Sequence, residues 1–360
     1  MNRVGLALIV GLIGVSVLAA QLKVDVALVN VVATITDDKG RYVSDLTADD
    51  LIVEEDGQPQ TIAHFTQSND LPVSVGLVLD TSGSMERKIN TATSAVERFV
   101  RAIHNDDDIF LMTFSERPTL RQDFTDNRDK LASALRRVNV GGGTALYDAL
   151  EESLRKIKNG KHDKKAILLI TDGEDTSSYA TFDEAASSVR ESELLVYCLG
   201  ISPSSDGLFR EGQPPISRGP SQGGRYPRRG GGGIQIPGIP GIPGIPGIPG
   251  GGRRWPLMSF ESPQRYPGRG GNPDTVDMKV LQTFADQSGG KAWLLSGNWT
   301  DNRGSEIQAA LDEIAAELRN QYSIGYYPAH ALDDKKWHRI EIRTKNSKYR
   351  VRARKDYYGQ

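Results

Sequence analysis

The sequence predicts an α/β protein: a doubly wound, mainly parallel sheet with a small β-sandwich built from the two chain ends. Between residues 71 and 201, apolar runs sized for strands alternate with stretches whose apolar residues recur every three or four positions. The flanking segments, 21–68 and 321–360, carry strand-like runs and turn pairs without helical spacing. From 202 to 273 the periodicity stops, and a helix–strand–helix pattern then resumes to about residue 320. Residues 71–320 therefore read as one domain carrying an insert.

The amino terminus sets the compartment. Arg3 precedes an unbroken uncharged, mainly apolar run from Val4 to Ala20, and Val17-Leu18-Ala19-Ala20 resembles a small-residue cleavage site. Residues 1–20 are expected to be a cleaved signal peptide, with a retained N-terminal anchor as the alternative, since about 17 residues just span a bilayer. Either way the remainder is exported, to the periplasm, the medium or the cell surface, and it meets a membrane only if that segment is retained. No cysteine follows the run, which closes the bacterial lipoprotein route. The formal net charge of −2 gives no reason to expect a nucleic-acid partner. The lone cysteine, Cys198, sits in an apolar run and reads as a buried strand residue, so there is no disulfide framework. The five histidines (His64, His104, His162, His330, His338) are scattered, without the spacing of a zinc site.

In the leader, Leu22, Val24, Val26 and Leu28 alternate, and the parity shifts to Val29, Val31, Ala33 and Ile35, as at a bulge. Asp37-Asp38-Lys39-Gly40 is a turn. Leu51–Glu55 is a short strand, Asp56-Gly57 a hairpin turn and Thr61–Gln67 the returning strand. A leader of roughly 45 residues makes a poor core alone and needs strands from elsewhere. Next come strands at Val73–Leu79, Asp108–Phe114, Ala166–Thr171 and Leu194–Leu199, with helices near 86–104, 128–138, 144–158 and 181–191. The acidic run Asp106-Asp107-Asp108, between a helix and a strand, reads as a solvated turn rather than a second metal site.

Residues 202–273 are dense in Gly, Pro, Ser and Arg. Gly238–Gly250 reads GIPGIPGIPGIPG, whose four triplets are too few for a collagen helix, so a solvated polyproline-II excursion is expected. A helix at Met278–Ala285, a strand at Lys291–Leu295 and an amphipathic last helix (Ile307, Ala310, Leu311, Ile314, Ala315, Leu318) complete the domain. Tyr322–Tyr327, Trp337–Thr344 and Tyr349–Tyr358 read as three closing strands. They would complete the leader as a sandwich from which the α/β domain projects. Only Asn320-Gln321 separates the last helix from the first of them.

The chemistry centres on Leu71–Met85, LPVSVGLVLDTSGSM. A doubly buried strand ends at Asp80, a hydroxyl-rich loop follows, then a helix; this holds Asp80, Ser82 and Ser84 together at the carboxyl end of the sheet. One carboxylate and two hydroxyls suit a small hard cation such as Mg²⁺, whereas the plainer alternative has the serines cap the helix and Asp80 accept loop N–H groups. Two later loops decide between them. Gly141-Gly142-Gly143-Thr144 adds a third hydroxyl, and the strand Ala166–Thr171 ends at Asp172-Gly173. Asp-x-Ser-x-Ser, a loop Thr and a strand-end Thr-Asp-Gly, in that order, resemble the metal-ion-dependent adhesion site of von Willebrand factor A domains, a Rossmann-like fold. The leader VATITDDKGRYVSDLTADDLIVEEDGQPQTIAHF, QYSIGYYP and RVRARKDYY resemble the flanks of a bacterial family known as VWFA-related, so the resemblance covers nearly everything except the insert.

That resemblance implies a metal site of Asp80, Ser82, Ser84, Thr144 and Asp172. Ser82, Ser84 and either Thr144 or Asp172 would ligate directly, with Asp80 and the displaced aspartate acting through water. It implies Mg²⁺, with Mn²⁺ or Ca²⁺ as alternatives, and a protein partner whose Asp or Glu carboxylate completes the coordination. This is adhesion or docking, not catalysis: there is no Gly-x-Ser-x-Gly elbow and no Walker loop. Two readings compete. One is a scaffolding surface protein assembling through the Gly-Ile-Pro insert. The other is a metal-dependent phosphohydrolase, against which Ser82 stands where a second aspartate is usual.

Overall fold

The computed structural model describes residues 28–67, 71–202, 276–295, 304–330, 332 and 334–359. The apolar amino-terminal run, the Leu22–Val26 alternation and, apart from Ser202, the Gly/Pro/Arg-rich stretch lie outside these residues. The chain begins with β1 (Val29–Thr36), β2 (Leu51–Glu55), β3 (Gln58–Gln60) and β4 (Ile62–Gln67). It continues through β5 (Val73–Asp80), α1 (Ile89–Ala102), β6 (Asp108–Phe114), β7 (Pro118–Thr125), α2 (Arg128–Leu135), α3 (Leu146–Ile157), β8 (Lys164–Thr171), α4 (Phe182–Glu191) and β9 (Leu195–Ile201). It closes with α5 (Met278–Ser288), β10 (Ala292–Leu295), α6 (Gly304–Arg319), β11 (Gln321–Tyr326), β12 (Trp337–Thr344), β13 (Arg350–Ala353) and β14 (Asp356–Tyr358).

The central sheet has the order β10-β9-β8-β5-β6-β7. All neighbours are parallel except the β6–β7 pair. Every residue of β5, β6 and β9 is buried, as strands covered on both faces require. One core packs α1, α2 and α6 against the sheet; a second packs α3, α4 and α5 against the opposite face. Gly76 in β5 is fixed by this packing, because a Cβ there would lie 2.5 Å from Phe110 Cζ. The antiparallel edge β7 is absent from the sequence reading. Its residues are mostly exposed or half-buried, so it shows neither an apolar run nor alternation.

The chain ends form two four-stranded sheets, β13-β1-β11-β4 and β14-β12-β2-β3. Val29, Val31, Ala33 and Ile35 meet Tyr322, Ile324 and Tyr326 from one sheet, and Leu51, Val53 and Ile340 from the other, in one core. The returning strand expected at Thr61–Gln67 pairs in the other sheet, and the strand expected as continuous over Tyr349–Tyr358 is divided between the two. After the Asp56-Gly57 turn, β3 returns against β2, but the chain then crosses so that β4 pairs with β11. The expected Tyr349–Tyr358 strand breaks likewise: β13 pairs with β1 and β14 with β12. A two-residue alternation persists through such a switch, so nothing in the pattern marks it.

The sandwich does not hold the α/β domain at arm's length; the two are joined where the parallel strands begin. Glu317 of α6 is 1% exposed and accepts from Thr34 Oγ1 of β1 (3.2 Å), Tyr197 Oη of β9 (2.7 Å) and the Arg352 guanidinium of β13. Arg190 of α4 grips Asp356 of β14 and lies 3.6 Å above the Trp337 ring. Tyr42 donates to Glu313 O, and Arg354 pairs with Glu193. Only Asn320 separates α6 from β11. The acidic turn is likewise less solvated than expected. Asp107 and Asp108 are buried, because the strand starts leave N–H groups without ladder partners. Asp107 accepts from Val73 N and His104 N, and Asp108 from Ser74 Oγ and Lys161 N.

Candidate metal centre

At the other end of the sheet, three loops converge: the strand-to-helix loops after β5 and β8, and the loop that joins α2 to α3. β5 remains apolar to Leu79 and delivers Asp80, fully buried, to its last position. Asp80 is held from two loops: Ser82 N donates to Oδ1 at 2.8 Å, and the Thr171 hydroxyl, at the end of β8, donates to Oδ2 at 2.6 Å. A short 3₁₀ turn, Gly83–Arg87, then carries Ser84 before α1 begins. The Ser82 and Ser84 hydroxyls are 3.0 Å apart, and Ser84 Oγ donates to Asp172 Oδ1 at 2.7 Å.

The glycine loop supplies the fifth group. Gly141 N donates to Thr81 O (2.9 Å) and Gly83 N to Gly142 O (3.1 Å), so two backbones lie side by side. Gly142 has φ +84°, and a Cβ on Gly143 would meet Ser177 Oγ at 2.2 Å. Thr144 is anchored by its backbone: its N–H donates to Thr176 Oγ1, and its carbonyl accepts from Thr176 N and Ser177 N. Its hydroxyl lies on the same side of Gly173 as that of Ser84: a Cβ at Gly173 would sit 3.7 Å from Thr144 Oγ1 and 3.9 Å from Ser84 Oγ. Asp80, Ser82, Ser84, Thr144 and Asp172 are thus brought to one place.

The electrostatics are unbalanced. Burial pushes the Asp80 carboxyl up to about 6, against the pull of its hydrogen bonds from Thr171 and Ser82 and with a further push from the Asp172 charge. Asp172, 2% exposed, has a partner that the sequence reading missed: Lys88 Nζ, itself buried, lies 2.5 Å from Oδ2. Lys88 ends the 3₁₀ turn and reads in sequence as an ordinary surface lysine; only the geometry gives it away. Two buried carboxylates therefore face one cation. The remaining donors are hydroxyls, and an all-oxygen set of this kind fits a hard divalent ion.

Residues 75–174 match the family model described as the von Willebrand factor type A domain. This part of the chain is a von Willebrand factor type A domain. Among curated proteins, the uncharacterized protein sll0103 of Synechocystis sp. is 32% identical over 108 residues, which are 29% of this chain and 26% of that protein. The match thus spans about a quarter of that relative's length. Among solved structures, the chain is similar to the vWF domain of the type V pili tip protein Mfa5 from Porphyromonas gingivalis, with 25% identity, 29% of this chain and 39% of that one covered, and a TM-score of 0.29. It is also similar to BatB from Bacteroides thetaiotaomicron, at 18% identity, 68% and 98% coverage and a TM-score of 0.42. A third is proximal thread matrix protein 1 from the mussel byssus with a zinc-occupied MIDAS motif, at 12% identity, 73% and 50% coverage and a TM-score of 0.44. In this A domain the convergent loops lie within, or border, the matched region.

Proposed function

We propose that the chain is an exported docking module whose A domain binds a protein partner through a divalent cation. The observation that carries this reading is the meeting of the Ser82, Ser84 and Thr144 hydroxyls with Asp172, above the buried Asp80, at the mouth of three loops. Ser82, Ser84, Thr144 and Asp172 would hold Mg²⁺, or Mn²⁺ or Ca²⁺. When bound, the ion offers a partly neutralised coordination position that an Asp or Glu of the partner can fill. Asp80 orients the loop through Ser82 N and orders Thr171, while Lys88 keeps Asp172 from carrying an unpaired charge. These are holding roles, and the proposal is of binding, not turnover. Export is supported by the apolar run Val4–Ala20. Among the described residues no helix is long and apolar enough to cross a membrane.

Calorimetry on the exported region tests the metal. One Mg²⁺ or Mn²⁺ site is expected, lost in an Asp80→Ala, Ser82→Ala double variant; undiminished binding by that variant overturns the proposal. Pull-downs from the exported fraction, with and without chelator, test the partner: capture should require the metal.

A further inference from the structure

The histidines are not all scattered. His330, in the β11–β12 connection, stacks on His338 of β12 with ring centroids 3.7 Å apart and planes 16° from parallel. The His338 side chain is 7% exposed, and each of its ring nitrogens faces a carboxylate. Nδ1 lies 2.8 Å from Asp56 Oδ2, in the turn after β2. Nε2 lies 3.0 Å from Asp334 Oδ2 and 3.1 Å from Asp334 Oδ1, in the β11–β12 connection. An ionised carboxylate only accepts, and a neutral imidazole has one N–H to give. Both contacts are satisfied at once only when His338 carries two N–H groups and a positive charge.

The surroundings favour that proton on His338. Four further groups face the ring or lie just behind its neighbours. They are His330, Glu55 of β2 behind it, Tyr357 of β14 with its centroid 5.3 Å away, and Arg354, 5.9 Å from the Tyr357 ring. His330 needs only one N–H for Glu55 Oε1, 2.7 Å from its Nε2, because Glu55 Oε2 is supplied by Tyr326 Oη and Tyr357 Oη. A second charge, on His330, would set two cations face to face. Burial works against the His338 proton, but the bonds to Asp56 and Asp334 outweigh it and raise the pKa above 6.5. The bond to His338, first among its causes, holds the Asp334 carboxyl below the ordinary range.

The two arms are not equally fixed. Asp56 is tied to β12 by the backbone as well: Oδ1 accepts from Arg339 N (2.8 Å), and Asp56 N donates to Arg339 O (2.9 Å). Asp334 has, besides His338, a local bond from Lys336 N, two residues on, at 3.0 Å. A neutral His338 therefore keeps its N–H on Asp56 and turns a bare Nε2 lone pair to Asp334. The chain end packs on this arm. Gly359 N donates to Lys336 O (2.9 Å), and a Cβ on Gly359 would lie 2.5 Å from Asp334 Oδ1.

We propose that His338 is a proton-operated clasp: as an imidazolium it fastens Asp334, and with it the end of β14, to the Asp56 turn, and on losing its proton it releases Asp334. Its contribution to stability is complete below about pH 6.5, the ordinary histidine value, and is lost as pH rises through the higher value of the folded state. The proposal is independent of the metal centre and of the docking function.

Histidine-selective ¹⁵N NMR on the exported chain tests the clasp, since there are only five histidines to resolve. The ring whose signals vanish in His338→Gln should be doubly protonated up to a midpoint above 6.5. Above that midpoint its remaining proton should sit on Nδ1, facing Asp56. Asp334→Asn should lower the midpoint by about one unit or more. In urea, the parent should be more stable than Asp334→Asn below pH 6.5, with the difference shrinking as pH rises through the midpoint. Over the same range, hydrogen exchange of the peptide carrying Gly359 should quicken in the parent beyond its intrinsic pH dependence. Should His338→Gln fail to fold, the ring whose midpoint moves in both Asp56→Asn and Asp334→Asn identifies His338. A midpoint at or below 6.5, a last proton on Nε2, or a stability difference independent of pH overturns the clasp.

Discussion

The central sheet gathers buried carboxylates at both ends, and the two ends treat them differently. Where the strands begin, Glu317 meets Arg352, Tyr197 and Thr34, and Asp107 meets Arg319 and two backbone N–H groups. For Glu317 and Asp107 the charge is matched, and the outcome is a joint between sandwich and A domain. Where the strands end, Asp80 and Asp172 share one cation, Lys88, and are otherwise held by hydroxyls and a loop N–H. The same residue types therefore build a fastening at one end and a candidate binding site at the other. What separates them is whether the chain supplies its own countercharge.

The comparison is broken most directly at Glu317. Replacing it with alanine strands the buried Tyr197 hydroxyl, Thr34 and the Arg352 charge together, at a cost of about 3–5 kcal/mol. Urea unfolding should register that loss, while Mg²⁺ affinity at the far end stays within about twofold, because the two sites share no partner. At the other end, Lys88→Met leaves Asp172 buried and unpaired. The metal-free protein should lose about 2–4 kcal/mol, and added Mg²⁺ should raise its Tm by more than it raises that of the parent. An equal Mg²⁺-induced shift in both would mean that Lys88 is not balancing the site.

A pH experiment sharpens the picture of the matched end. Lys164 donates to Leu318 O at the end of α6, and burial first, then the nearby Arg319 charge, pull its amine from 10.5 down to about 7. The folded state thus binds this proton less readily than the unfolded chain. The penalty is complete below about pH 7 and fades as pH rises toward 10.5, so stability from this group should increase with pH across that window. Between about pH 7 and 9.5, below the ordinary range for tyrosine, the parent should gain up to a few kcal/mol relative to Lys164→Met. A constant difference between the two would show that the amine stays charged.

Much of this was legible in the chain and some was not, for physical reasons. β5 and β8 announce themselves because burial on both faces leaves an unbroken apolar run up to Asp80 and Thr171. Asp80, Ser82, Ser84, Thr144 and Asp172 could be grouped because each follows, or sits at, the end of a recognisable element. Lys88 could not, since its burial depends on a partner 84 residues away. Glu55 and His330 are 275 residues apart and meet only because both chain ends enter one sandwich. β7 is a strand by pairing alone, and no side-chain pattern records a hydrogen-bonded edge.

The smallest expected effect concerns whether the two ends of the sheet communicate. α6 runs into β11 across Asn320 alone, and its Glu317 is fixed to β1, β9 and β13. Any shift of α6 along its axis, driven by partner binding at the loops, would therefore strain both the chain connection and the Glu317 cluster. Coupling of this kind is reciprocal and worth about 1–3 kcal/mol. Inserting four flexible residues after Arg319 relaxes the chain connection but leaves Glu317 in place. Metal affinity should be unchanged, and partner affinity should change by roughly fivefold, near the lower bound of that range, because half of the linkage survives. Combining the insertion with Glu317→Gln should enlarge the change. If partner affinity is the same in all three proteins, the sandwich is a passive support and the matched end of the sheet only holds the A domain in place.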